Sequence, residues 1–193
     1  MVVEGGIFPL DRANVDTDQI IPTKFLGAVG PDGLSRYCLG GVPGIEALYS
    51  AHPDATILVA RENFGAGSSR EHAVWALQAR GFRAVIAPGF ARIFSENAYN
   101  NGFVIATIDA AALPSIMAAP SARIDVVGQT IALPDRTSIP FSLDPLRKGF
   151  ILGGGFLSYM SEQIPLVRDW ESLELRNALH CSARDDKGET TSG

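Results

Sequence analysis

Apolar residues in this chain fall in short runs separated by glycine, proline and polar turns, and they change period twice. Residues 1–10 predict a first strand. Residues 55–60, ATILVA, form a continuous apolar, β-branched run and predict a buried strand. Residues 83–87 and 103–108 predict two more strands. Helices are predicted between and after them, at about 70–80, at 91–100 and at 110–117. The first of these has a mostly apolar face from Val74, Trp75 and Leu77, next to Gln78, and Gly81 is a natural stop. Strand and helix thus alternate through residues 55–118, the pattern of parallel strands joined by right-handed crossovers.

The pattern is different after residue 120. Residues 122–127, 129–133 and 138–143 are short β segments, split by Gly128 and by Pro134-Asp135, and they predict an antiparallel meander. Short helices are expected at 145–151 and 156–164, around Gly153-Gly154-Gly155. The expected organisation is one domain over 1–165, a C-terminal extension over 166–181 and a disordered polar tail over 182–193. Residues 14–22 are turn-rich and then apolar. Residues 26–44 carry six glycines and two prolines and read as a long functional or mobile loop.

Charge and cysteine content narrow the function classes. Only 19% of the 193 residues are charged, which leaves room for an apolar surface that a partner covers. The net charge is −5, and Arg61, Arg70, Arg80, Arg83 and Arg92 are scattered rather than striped. This argues against a nucleic-acid binder. An acidic protein that binds an acid must do so with local cations, because its overall field does not help. Cys38 and Cys181 lie far apart, and His52, His72 and His180 are dispersed, so the spacings assemble no metal site and no Cys-ligated iron–sulfur cluster in this chain. Two free thiols in a reducing compartment are expected, with a single disulfide as the alternative. The N-terminus lacks basic and apolar signal regions, and no apolar stretch approaches the roughly 20 residues of a membrane span. A soluble, cytoplasmic protein with no membrane contact is therefore expected.

The sharpest chemical feature is residues 63–73, NFGAGSSREHA, between a predicted buried strand and a helix start. In α/β sheets, ligands bind beyond the carboxyl ends of strands, and a helix start offers free N–H groups to an anion. Gly65 and Gly67 let the backbone pass close to a ligand. Ser68 and Ser69 supply hydroxyls, and Arg70 supplies a fork that matches a carboxylate. A bland alternative exists, because Ser68 and Glu71 fit an S-x-x-E capping box that would merely start the helix. A Walker A loop is a poorer fit, since no Gly-Lys-Ser/Thr follows. A dinucleotide fingerprint fails at Arg70, and a Gly-x-Ser-x-Gly elbow is absent. No triad pattern links the histidines to Ser68, which argues against a self-sufficient serine hydrolase. Asp16 and Asp18 resemble paired carboxylates, but turn-forming and loop-bracing is the better reading.

The loop 63–73, the downstream 87–94 (APGFARIF) with Asn97 and Asn101-Gly102, and the upstream 14–22 (NVDTDQIIP) together resemble the swivelling domain of the aconitase superfamily, in the same order, over roughly residues 5–160. The length and freestanding domain are similar to the small subunits of isopropylmalate isomerases. The resemblance implies an α/β fold of the swivelling β/β/α type, with parallel βαβ units and an antiparallel β layer. It also implies a hydro-lyase that dehydrates and rehydrates a small hydroxy-dicarboxylic acid in leucine biosynthesis, active only with a cluster-bearing large subunit in a heterodimer or heterotetramer. The [4Fe-4S] cluster is expected in that partner, with no cofactor in this chain. By residue matching, Ser68 would be the base, and Ser69, Arg70 and Arg12 would bind substrate. Gly65, Gly67, Glu71 and His72 would support the loop. The segment around Leu26, Val29, Leu34 and Arg36 would select the substrate's side group. Its apolar residues suit an isopropyl group and Arg36 suits a further carboxylate. Related dehydratases of the homoaconitase, 2-methylmalate or dimethylmalate type stay open at this point, as does a non-catalytic interaction module of the same fold.

Overall fold

The computed structural model describes residues 1–25 and 31–185. Seven strands form one hydrogen-bonded sheet in the order β4-β3-β2-β1-β5-β6-β7. Strands β1 (Val2–Leu10), β2 (Ala55–Ala60), β3 (Ala84–Ala87) and β4 (Val104–Thr107) run parallel. Strands β5 (Ser121–Asp125), β6 (Thr130–Ala132) and β7 (Ser138–Pro140) continue from β1 as an antiparallel meander.

The continuous apolar run of β2 has a simple cause: both of its faces are covered. Leu58 and Ala60 point into one core with Val85, Ala87 and Ile105, while Ile57 and Val59 point into a second core with Ala84, Ile86 and Val104. A strand buried on both sides loses the polar alternation of a half-exposed one. Helices α3 (Glu71–Arg80) and α4 (Arg92–Asn100) close the first core through Ala73, Val74, Leu77, Phe94 and Ala98. The second core is closed by Ile124, Ile131 and Ile139 of the meander and by Leu113 and Ile116 of a later helix. The meander therefore lies across the back of the parallel strands. A bridge between Thr107 and Ser142 ties the far edge of β4 to the chain leaving β7. The layers run helix, parallel sheet, antiparallel sheet, which is the β/β/α layering expected from the sequence.

The remaining helices are α1 (Thr17–Ile20), α2 (Ile45–Ala51), α5 (Leu113–Ala118), α6 (Pro145–Leu152) and α7 (Phe156–Asp185). The first compact unit is Met1–Phe156, and Leu157–Gly193 forms a second. The boundary therefore falls earlier than the expected residue 165. In place of a short helix, an extension and a tail from 182, α7 runs for 30 residues. Pro165 costs a helix interior about 3 kcal/mol. It is the only proline between Phe156 and Asp185, and that stretch contains no glycine to stop the helix. The expected tail beyond residue 185 lies outside the described residues.

The glycine-rich stretch expected to be a loop is largely packed. A 3-10 helix spans Pro31–Tyr37, and Leu34, Cys38, Leu39 and Val42 are buried in the first core. Leu39 N–H donates to the Ile20 carbonyl at 2.7 Å and Gly41 N–H to the Gln19 carbonyl at 3.0 Å, which anchors the stretch to α1.

Candidate active site

Beyond the carboxyl ends of β1 and β2 the two chains stay paired. Arg61 N–H donates to the Arg12 carbonyl at 3.0 Å, Asn14 N–H to Glu62 at 3.0 Å, Gly65 N–H to Val15 at 2.7 Å and Thr17 N–H to Ala66 at 2.8 Å. The Asn63 amide donates to Asn14 Oδ1 at 2.9 Å, and the Thr17 hydroxyl donates to the Ser68 carbonyl at 3.1 Å. The third motif joins through Phe64, whose N–H donates to Gly89 and whose carbonyl accepts from Ala91. Three segments far apart in sequence thus meet at the loop 63–70.

The glycines of that loop serve two different needs. Gly65 has φ +80°, and a Cβ placed there would lie 2.2 Å from Cγ of Phe94, which is packed edge-on against Phe64. Gly67 has φ +90°, with the nearest atoms at 3.6 Å, so its need is conformational rather than steric. The loop then delivers Ser68 and Ser69 to the surface, and both are exposed. Among the described residues neither hydroxyl has a hydrogen-bond partner, so both are available to a ligand.

Arg70 follows as the N-cap of α3, in extended conformation and with no side-chain cap. The Ser68–Glu71 capping box is therefore not formed. Glu71 instead accepts a hydrogen bond from the Asn101 amide at 2.7 Å, while the Trp75 indole donates to Asn101 Oδ1 at 2.9 Å. These bonds pin the start of α3 to the end of α4. His72 packs its ring against Trp75, with centroids 4.8 Å apart.

The Arg70 guanidinium meets Asp18, with Nη1 to Oδ1 at 2.5 Å and Nη2 to Oδ2 at 3.1 Å. Thr23 donates its hydroxyl to the same Asp18 Oδ1. These hydrogen bonds, from Arg70 first and Thr23 second, hold the Asp18 carboxyl at about 2, below its ordinary value. Turn-forming and loop-bracing is the reading the sequence favours for Asp16 and Asp18 over paired acid/base carboxylates. In the structure Asp16 caps α1, accepting from Gln19 N–H at 2.7 Å, and Asp18 projects to Arg70. The pairing of Asp18 with Arg70 was missed at the sequence level, because the two residues lie 52 positions apart on different elements. Because the folded pKa lies below the unfolded one, the pair's contribution is complete above the ordinary carboxylate range and is lost as pH falls through about 2. A carboxyl-carbon NMR titration should show Asp18 still ionised at pH 3, while an exposed carboxylate is largely protonated.

Arg12 stands at the opposite end of the paired segments from Ser68. Its guanidinium donates to the Pro43 carbonyl at 3.4 Å, at the rim of a cleft of about 400 Å³ lined by Leu10, Val42, Ile45 and Leu48. Leu34 does not line an open surface: it is 1% exposed and belongs to the core, so its expected part in side-group selection is corrected. An apolar side chain in a short helix against α3 gains more by burial than by facing water. Arg36 is exposed and its guanidinium lies 4.8 Å over the Tyr37 ring. Leu26 and Val29 lie outside the described residues.

Burial raises the Cys38 thiol to about 12, so it is no thiolate at neutral pH. Among the described residues no three His, Cys, Asp or Glu side chains converge as metal ligands, and no helix is long and apolar enough to cross a membrane. The donors here do not fit an iron–sulfur cluster. What the loop offers is two exposed hydroxyls beside a fixed guanidinium, an arrangement that can bind a carboxylate and place an oxygen next to it.

Comparison with known proteins identifies the family. The family described as the aconitase C-terminal domain matches residues 35–111. The 3-isopropylmalate dehydratase small subunit of Anaeromyxobacter dehalogenans (strain 2CP-1 / ATCC BAA-258) is 44% identical, with 81% of this chain and 90% of that protein covered. The small subunit of the same name from Anaeromyxobacter sp. (strain K) matches at the same identity and coverage. The crystal structure of 3-isopropylmalate dehydratase from Methanocaldococcus jannaschii DSM2661 superposes with a TM-score of 0.72 at 30% identity, covering 89% of this chain and 99% of that one. The chain belongs to the family of 3-isopropylmalate dehydratase small subunits.

Proposed function

We propose that this chain is the small subunit of a cytoplasmic two-subunit hydro-lyase that interconverts 2-isopropylmalate and 3-isopropylmalate in leucine biosynthesis. The observation that carries the reading is the loop that exposes the Ser68 and Ser69 hydroxyls beside the Arg70 guanidinium, in a chain 44% identical to proteins of that name. Arg70 and Ser69 bind a substrate carboxylate. Ser68 Oγ, as an alkoxide, removes the proton from the carbon beside that carboxylate. The C–H electron pair becomes the C=C bond, and the hydroxyl leaves the neighbouring carbon as water or hydroxide. On rehydration it adds to the carbon that gave up the proton. A serine hydroxyl is a weak base in water, so the nearby cation and N–H donors must stabilise the alkoxide. The proton stays on Ser68 Oγ until it returns to one of the two carbons on rehydration. Gly65, Gly67, Glu71 and His72 keep the loop in place, whereas Arg12, at the far end of the paired segments, is left out of the step. A [4Fe-4S] cluster of the large subunit supplies the Lewis acidity for the substrate hydroxyl. The buried, protonated Cys38 of this chain is no ligand for it.

Anaerobic co-expression with the cognate large subunit, followed by purification through a tag on this chain, tests the reading. Iron, sulfide and isopropylmalate isomerisation should all be recovered in one complex. A chain that elutes alone, without iron and without turnover, would refute it and leave a non-catalytic interaction module.

A further inference from the structure

The ion pair with Asp18 uses up only part of Arg70. Asp18 takes the end of the guanidinium, accepting one hydrogen bond from each Nη. A guanidinium has five N–H donors, so the edge bearing Nε–H remains, and it matches a second carboxylate in the same bidentate manner. Asp18 itself is held as part of the frame. It sits on α1, which is fixed by the Asp16–Gln19 capping box and by the two hydrogen bonds from Thr17 to Ala66 and Ser68. Thr23 holds its Oδ1 as well. The Arg70 side chain is only 15% exposed, while that of Asp18 is 56% exposed, so the arginine is the enclosed member of the pair.

We propose that Asp18 is the positioning residue for Arg70, holding the end of its guanidinium so that the Nε edge receives the substrate carboxylate. This rests on the reading of Arg70 as a substrate-binding residue. A long side chain that is already fixed loses less freedom when the substrate arrives, so orientation lowers KM. The negative charge of Asp18 works in the other direction, since it offsets the cation that attracts the substrate. The two effects predict opposite changes when Asp18 is removed, and the built frame around Asp18 assigns the larger one to orientation.

The test is a double-mutant cycle in the assembled two-subunit enzyme, reading KM and kcat for 3-isopropylmalate. Asp18→Ala should raise KM by about tenfold with kcat within about threefold of wild type, and Asp18→Asn, which keeps one acceptor oxygen, should fall between them. Arg70→Lys should raise KM by itself. Adding Asp18→Ala to it should change KM by less than about twofold, because Asp18 acts through Arg70. Thermal melting and co-purification with the large subunit check assembly; if Asp18→Ala fails to assemble, the nearly isosteric Asp18→Asn decides. A raised KM in Arg70→Lys with an unchanged or lowered KM in the Asp18 variants would overturn the positioning role alone. So would an Asp18 effect that adds in full to that of Arg70→Lys. An unchanged KM in Arg70→Lys would overturn the substrate-binding reading of Arg70, and the positioning role with it.

Discussion

Ser68→Ala in the assembled enzyme should lower kcat by about a thousandfold and leave KM within a few-fold of wild type. The size follows from the loss of a general base, which typically contributes between a hundredfold and ten-thousandfold. The split follows from the geometry. Ser68 is exposed, has no hydrogen-bond partner among the described residues and shares only its backbone carbonyl with Thr17, so losing its hydroxyl disturbs nothing in the frame. Arg70 stays tied to Asp18 and still holds the carboxylate. An interaction made only as the proton moves affects kcat and not ground-state binding. Steady-state kinetics on the variant, with unchanged thermal melting as the control, measures this. A variant with near wild-type kcat would mean that another group takes the proton.

Gly65→Ala should be the most damaging small change to the fold at this site. A left-handed backbone costs a residue with a side chain about 1–2 kcal/mol. The added carbon would also lie 2.2 Å from the Phe94 ring, and Phe94 is 1% exposed between Phe64 and Phe90. Overpacking of this kind typically costs a further 1–3 kcal/mol. The sum is about 3 kcal/mol, which in a domain of this size lowers Tm by about 6–12 °C. Gly67→Ala is the control. It shares the positive φ but meets nothing closer than 3.6 Å, so it should lose only the conformational part, about 1–2 kcal/mol. Equal melting temperatures for the two variants would show that Phe94 gives way and that the loop is less rigid than its packing implies.

Much of the fold could be read from the sequence because its signals were local. β2 declared itself through an unbroken apolar run, and the runs in β3 and β4 are the same signal on neighbouring strands. The meander was legible because Gly128 and Pro134 divide it into short segments. What escaped depends on long-range packing. Leu34 sits in a glycine-rich stretch that looks like a loop, and only the bonds from that stretch to α1 and the face of α3 make it part of the core. In α7, the expected helix covers only 156–164, yet the helix formers on both sides of Pro165 outweigh it and carry the helix to Asp185. At the site, the loop 63–70 stood out as chemistry, and its exposed Ser68 and Ser69 lie next to the largely enclosed Arg70. The local pattern Ser68–Glu71 pointed to a cap, but Arg70 takes the cap position and Glu71 turns to Asn101, 30 residues away. Asp18 and Arg70 lie 52 residues apart, and no periodicity links two residues on different elements. The three-motif resemblance reached further than periodicity did, because it carried the spatial convergence of 14–22, 63–73 and 87–94 without having to derive it.

The most direct test of the account is to titrate this chain into a fixed amount of anaerobically prepared large subunit and follow the isomerisation of 3-isopropylmalate. The account predicts no turnover from either subunit alone and a rate that rises with added chain and then saturates, with Ser68→Ala binding equally well but giving no rise. Full turnover by the large subunit alone, or by a complex carrying Ser68→Ala, would contradict it.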